Sequence, residues 1–267
     1  MGPFIKWAGG KGQLLAYMRF PSRFNNYHEP FVGGGAVFFA LQPRSPFLSD
    51  VNPELVNTYH AVKEKVEDLI DSLRELEKSY SGEKYYEMRA IDPELLDPVS
   101  RAARFVFLNK TCYNGLYRVN RAGRFNVPWG RYKKPRICDP AGLRAASAVL
   151  RRAVIKTRDF RDALRIPERG DFVYIDPPYV PISKTSAFTE YTSKSFAWAD
   201  HEALAEEAER LRDDVGCLVL LSNSYSAKVK SLYQGRGFHV RHVTASRAIS
   251  SKASTRGRIN ELLISSY

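Results

Sequence analysis

The sequence predicts an α/β fold built on a mostly parallel sheet, and three observations predict it. Seven short runs of β character occur, at 27–31, 47–50, 153–157, 171–176, 217–222, 238–244 and 262–266. Helical patterns lie between several of them, an alternation that places parallel strands under helices on both faces. The stretches richest in chemistry fall at strand ends, where open parallel sheets bind ligands. With 267 residues and no internal repeat or low-complexity linker, the chain is long enough for one such domain plus an insertion.

Before the first strand, FIKWAGGKGQL at 4–14 is a glycine loop carrying Lys11. Gly12 follows that lysine directly, so the spacing of a phosphate-binding P-loop is missing and ATP is not implied. Trp7 beside Gly9 and Gly10 is either packing or an indole next to a ligand, and Lys11 is placed to meet a ligand carboxylate. The first strand runs into EPFVGGGAVFFAL, where Gly33, Gly34 and Gly35 let backbone approach a ligand at the start of a helix. Phe38 stands where a dinucleotide fingerprint needs its third glycine, which disfavours NAD. The second strand ends in LSDVN, with Asp50 suited to accept from both hydroxyls of a ribose. A glycine turn with a strand-end acid fits an adenosine-containing ligand; a plain structural turn, with Asp50 preparing the cap at Asn52, fits equally.

Asn52 followed by Pro53 starts a long helix with Leu55, Val56, Tyr59, Val62, Val66, Leu69, Ile70, Leu73 and Leu76 on one face. No convincing strand follows until after residue 136. Residues 53–136 therefore read as a mainly helical insertion, with 1–52 and 137–267 forming the α/β domain. Later, Asp200 is a plausible cap for HEALAEEAERLRDD.

Between Arg101 and Arg158 stand 15 Lys and Arg against the single acid Asp139, more than accounting for the whole chain's formal charge of +12. A solvated face is the ordinary reading of a charge run. The interleaved Phe, Tyr and Trp and the size of the excess point instead to nucleic acid. Cys112, Cys138 and Cys217 are far apart and form no CxxC pair, so neither a disulfide framework nor zinc is expected. His239 and His242 have no acid or Cys partner nearby in sequence, and no metal is expected there. With no apolar stretch near membrane-spanning length and no leader pattern, a soluble, cytoplasmic protein is expected.

The fourth strand ends in FVYIDPPYV, residues 172–180. Pro177 and Pro178 have carbonyls but no N–H, and their fixed φ stiffens the chain. Asp176 and a neighbouring carbonyl then form a cluster of acceptors suited to an exocyclic amine on an aromatic ring, held so that its lone pair is free to attack. Tyr179 offers a face for that ring. The base must leave its duplex to arrive there. Adenine N6, cytosine N4 and a glutamine amide all remain open on this motif.

The order FIKWAGGK, EPFVGGGAVF, LSDVNPELVN, NKTCYNGLYRVNRAGRFNVPWGRYKKP, DFVYIDPPY, LLSNS and SRAISSKASTRGRINELL resembles the Dam-type DNA adenine-N6 methyltransferases, the D12 class or alpha group, over nearly the whole chain. The resemblance implies a Rossmann-like methyltransferase fold with an inserted target-recognition domain, S-adenosylmethionine as donor with S-adenosylhomocysteine as product, and a monomer acting on GATC in double-stranded DNA. It implies cofactor contacts at Trp7, Lys11, Phe31, Gly33, Gly35, Asp50, Asp159, Phe160 and Asp176, and catalysis by Asp176, Pro177, Pro178 and Tyr179. It implies that Arg118 reads a guanine, that Leu116 and Pro128 approach a thymine methyl, and that Tyr113 fills the space the flipped adenine leaves. Asn114 and Lys6 are further base contacts by the same comparison. Asn120, Arg131, Lys133, Arg247, Ser250, Ser251 and Lys252 are implied to hold phosphates. Methylation of cytosine N4 or of RNA adenine, and a non-catalytic DNA-binding regulator, are the rival readings. His201 is expected to cap or pack, since transfer to a neutral amine needs no base poised near pH 7.

Overall fold

A computed structural model of the chain describes residues 1–120, 122–179, 196–246 and 258–267. All seven expected strands form, in one sheet: β1 (Tyr27–Glu29), β2 (Pro46–Asp50), β3 (Val154–Thr157), β4 (Phe172–Ile175), β5 (Leu218–Ser224), β6 (His239–Ser246) and β7 (Arg258–Ser265). The order is β3-β2-β1-β4-β5-β7-β6. The first five strands pair in parallel, while β7 runs antiparallel between β5 and β6. This is a doubly wound, Rossmann-like sheet with one reversed strand, and β1 and β4, at which the strand order changes direction, are neighbours.

Alternation along β4 sorts the two layers. Phe172 and Tyr174 join one core with Tyr27, Leu48 and Leu220, whereas Val173 and Ile175 join the other with Val219, Leu221 and Leu262. Helices α7 (Phe160–Ala163), α8 (Trp198–Arg210) and α9 (Ala227–Gln234) cover the second face. The first face takes α1 (Ala36–Leu41), α2 (Pro53–Glu64) and α6 (Pro140–Leu150), with α3 (Val66–Lys78), α4 (Gly82–Ala90) and α5 (Pro98–Thr111) continuing the same core outward.

Local chemistry fixes several of these helices. Asn52 accepts from the amides of Glu54 and Leu55 and Pro53 opens α2; Asp97 with Pro98 does the same for α5, and Asp139 with Pro140 for α6. The long helix expected from residue 53 is two helices, broken at Lys65 (φ −134°, ψ 41°). The break lets α2 lie on β2 and β3 while α3 packs against α5 and α6. The inserted segment thus shares its core with the sheet, and its first helix is part of the sheet's own cover. Helix α8 starts at Trp198, two residues before Asp200. That acid is not the cap: it sits in the first turn and accepts from the Ala197 amide at 2.7 Å.

Glycine is required at position 35. Its φ is +68°, and a Cβ there would lie 2.7 Å from the Tyr59 hydroxyl and 3.1 Å from the Phe39 ring. Gly35→Ala is therefore expected to cost about 1–3 kcal/mol, read as a lower urea midpoint at unchanged slope.

Candidate active site

The carboxyl ends of β4 and β5, the amino-terminal half of the antiparallel β7 and the loop before β1 converge on one buried ammonium. Lys11, 4% exposed, pairs with Asp176 Oδ1 at 2.8 Å. It also donates to the Gly9 carbonyl at 2.7 Å and to the Tyr179 hydroxyl at 2.6 Å. Ser222, on β5, donates to the same Asp176 Oδ1 at 3.0 Å and exchanges a 2.7 Å hydrogen bond with the Tyr174 hydroxyl. Lys11 and Ser222 thus share one oxygen of Asp176, and the carboxyl is 21% exposed. Burial raises the Asp176 pKa above the usual carboxylate value, against the opposing charge of Lys11 and the bonds from Lys11 and Ser222. The expected ligand carboxylate for Lys11 is, in this structure, one of the protein's own.

Tyr179 donates to Glu261 on β7, 3.0 and 2.9 Å from its two carboxyl oxygens. Burial first, then the charges of Asp176 and Glu261, push the phenol's ionisation far above its ordinary range, so it remains a neutral donor. Pro178 and Tyr179 are half-buried and Pro177 is buried. The four residues of the DPPY stretch are thus held at the strand end with one carboxyl edge and one aromatic ring accessible to each other.

The glycine turn lies beside this cluster. Asp50 Oδ2 accepts from the Gly33 amide at 3.1 Å and Oδ1 from the Asn52 amide at 3.0 Å. Each oxygen keeps a lone pair for a hydroxyl donor. Burial raises the Asp50 pKa to about 6, with the amide donors of Asn52, Gly33 and Val51 opposing. The close approach that Gly33 permits is to Trp7: a Cβ there would meet the indole at 2.7 Å. That indole stacks on Tyr117 (5.8 Å) and Phe105 (6.4 Å). Tyr59 donates to the Gly33 carbonyl at 3.0 Å, so the turn is built by protein contacts on both sides. Across the strand ends, Phe31 stacks on Phe160 at 5.5 Å, Phe196 meets both rings, and Asp159 caps α7 by accepting from the Arg161 amide. His201 is 1% exposed with no hydrogen-bond partner at either ring nitrogen, edge-on to Phe196, and burial lowers its pKa to about 4. Packing, not capping, is its role.

The basic segment forms a separate edge to the site. Leu116 to Pro128 is a hairpin, with Val119 bridged to Phe125 and the Asn120 side chain accepting from the amides of Ala122 and Arg124 at its tip. Arg118 Nε donates to Asn126 Oδ1 at 2.7 Å, and the return strand is tied down by Tyr85, whose hydroxyl donates to the Val127 carbonyl. Asn109 clamps Lys6 by accepting from its amide at 2.9 Å and donating to its carbonyl at 2.7 Å. The Lys6 side chain lies against Gly115, with its ammonium over the Tyr132 ring. Tyr113 is 43% exposed, Asn114 takes a left-handed turn (φ 55°), and Pro128, Arg131 and Lys133 are exposed. Lys6, Tyr113, Asn114, Leu116, Arg118 and Pro128 are thereby gathered on one loop cluster. Arg247, Ser250, Ser251 and Lys252 lie outside the described residues.

Sequence reasoning passed over Ser222 and Glu261, which fix Asp176 and Tyr179, and Asn109 and Asn126, which fix Lys6 and Arg118. The first two stand in stretches quoted for the resemblance, LLSNS and INELL, and an acid inside an apolar strand is itself a signal. Among the described residues no group of His, Cys, Asp or Glu could hold a metal ion, and no helix is long and apolar enough to cross a membrane.

A family model described as D12 class N6 adenine-specific DNA methyltransferase matches residues 7–249. The chain is 41% identical to "Type II methyltransferase M1.LlaDCHI" of Lactococcus lactis subsp. cremoris, over 99% of this chain and 95% of that protein. It is 42% identical to "Type II methyltransferase M.MjaIII" of Methanocaldococcus jannaschii over 99% of each. With "DNA adenine methylase" of Escherichia coli (strain K12) it shares 37% identity, covering 97% of this chain and 93% of the other.

Proposed function

The chain belongs to the D12 class of N6 adenine-specific DNA methyltransferases, and from that premise we propose that it methylates adenine in GATC of double-stranded DNA, turning the base out of the helix. It is an enzyme, and S-adenosylmethionine is the proposed donor. The observation that carries the reading is the Asp176 carboxyl gripped at Oδ1 by Lys11 and Ser222 beside the Tyr179 ring. That grip leaves Oδ2 for an amine.

In the proposed complex the adenine ring stacks on Tyr179, one N6 hydrogen goes to Asp176 Oδ2 and the other to the Pro177 carbonyl. Both bonds draw the amine hydrogens out of the ring plane and free the nitrogen lone pair. When bound, the donor supplies an activated methyl carbon for that lone pair. Asp176, with its pKa raised by burial, is a better sink for the amine's proton than an exposed carboxylate. The residues present fit the donor: Asp50 retains acceptor capacity for two ribose hydroxyls, Phe31 and Phe160 stand together with Asp159 for an adenine ring, and Trp7 borders the Gly33 to Gly35 turn. Segment 53–136 is proposed as the target-recognition unit on a monomeric enzyme. Arg118, with one edge tied to Asn126, offers its remaining N–H groups to guanine O6 and N7. Asn120, Arg131 and Lys133 then hold phosphates. A soluble, cytoplasmic location is consistent with a DNA substrate.

The decisive assay treats a GATC-containing plasmid with protein and S-adenosylmethionine, then digests it with two GATC-cutting enzymes of opposite methyl sensitivity. Protection from one and cleavage by the other is expected, and Asp176→Ala should abolish both; GATC left unmethylated by wild-type protein overturns the reading. Arg118→Ala should lower kcat/KM on GATC and narrow its preference over a duplex changed at the guanine, by about 1–3 kcal/mol. Donor binding should weaken as pH falls through about 6, where Asp50 takes up a proton and loses acceptor capacity. The limiting slope is roughly tenfold per pH unit, and calorimetry on Asp50→Asn should show it flattened.

A further inference from the structure

Glu261 sits in β7, 2% exposed, hydrogen-bonded into the ladder between β5 and β6 with Ser224 and Val243 as its register partners. A carboxylate at the centre of a sheet is costly unless it is paired and hydrogen-bonded. Among its partners is the hydroxyl of Tyr179, a residue 82 positions earlier, within 3.0 Å of both of its oxygens. Its side chain shares a sheet face with Ser222 and Asp176, because Glu261 pairs with Ser224, two residues beyond Ser222 on the same strand.

We infer that Glu261 is a positioning residue for methyl transfer: it tethers the Tyr179 hydroxyl and so fixes the ring on which the target adenine stacks. This rests on the proposed function, which it deepens. Pro177 and Pro178 fix the backbone end of Tyr179, but a tyrosine ring keeps two side-chain torsions of its own. The hydroxyl end is fixed by Glu261 on one side and by Lys11 on the other, at 2.9 and 2.6 Å. The Lys11 ammonium then has all three hydrogens engaged, by Gly9, Tyr179 and Asp176. Glu261 therefore sets the ring, and the ring's oxygen helps to set the lysine that grips Asp176. The two strands outside the DPPY stretch divide the work: Ser222 on β5 orients the acid, and Glu261 on β7 orients the stacking face. The phenol oxygen is the route by which the acid acts on the stacking face.

That route makes the test a double-mutant cycle on Glu261→Leu and Tyr179→Phe, with kcat and KM measured on GATC duplex. Tyr179→Phe keeps the ring and loses the tether. Each single variant is expected to lower kcat on the order of 10–100-fold through misplacement of the stacked base, with a smaller change in KM. In the Tyr179→Phe background, Glu261→Leu should cost less than about threefold more, since the shared contact is already gone. Glu261→Gln keeps an amide oxygen as acceptor and should recover most of the activity. Emission from 2-aminopurine at the target position, quenched by stacking, should brighten in Glu261→Leu and return toward wild type in Glu261→Gln. If Glu261→Leu does not fold, as judged by its thermal melt, the same cycle is run with Glu261→Ser. Multiplicative losses, or unchanged kcat in Glu261→Leu, overturn the inference while wild-type methylation leaves the proposed function standing. Absence of methylation by the wild type overturns both.

Discussion

One buried ammonium organises the carboxyl end of the sheet. Lys11 comes from a loop before the first strand, yet its three hydrogens are spent on Gly9, Asp176 and Tyr179. A charge this enclosed persists only because acidic and polar partners surround it. Those partners in turn require the strand order. Placing β4 beside both β1 and β5 brings the loop lysine, the DPPY acid and Ser222 to one spot, and the antiparallel insertion of β7 next to β5 adds Glu261. A different order would scatter these groups along the sheet edge. The methyltransferase fold is in this sense the scaffold of an ion-pair cluster, with the glycine turn and the 116–128 hairpin arranged around it.

Much of this is legible in the sequence alone. Strands announce themselves by β-branched and aromatic runs, and each of the seven expected runs is a strand. DPPY could be interpreted from the missing N–H of proline and the acceptors it leaves. The Lys65 break was not legible, because the apolar spacing continues through it from Val62 to Val66 and only tertiary packing decides where the axis turns. The glycine turn was legible as a close approach but not for its partners, which are the Trp7 indole and the Tyr59 hydroxyl. Glu261 and Asn109 act across 82 and 103 residues of chain, a distance at which no local pattern reports a contact.

The charge of the segment from Arg101 to Arg158 also needs its structure to be interpreted. Arg101 pairs with Glu54, Arg136 with Asp139 and Arg144 with Glu67, and buried Arg104 donates to the carbonyls of Met88 and Arg89. These side chains serve the helices around α5 and α6. Of the rest, Arg118 and Arg124 stand on the hairpin and Arg131, Lys133 and Lys134 just after it, where Asn126 aligns Arg118 and Tyr85 and Arg89 anchor Val127, while Arg151, Arg152, Lys156 and Arg158 lie around the end of α6 and β3. Specific reading needs such anchoring, since a guanidinium free to swing gains attraction without discrimination.

Trp7 spans the two halves of this arrangement. One edge of its indole covers Gly33, its Cβ lies against Gly34, and its face lies on Tyr117, the neighbour of Arg118 in the hairpin. The glycine turn and the hairpin therefore meet the edge and the face of a single rigid ring. A tilt imposed on that ring at the turn is passed to Tyr117, so the two loops cannot be repositioned independently.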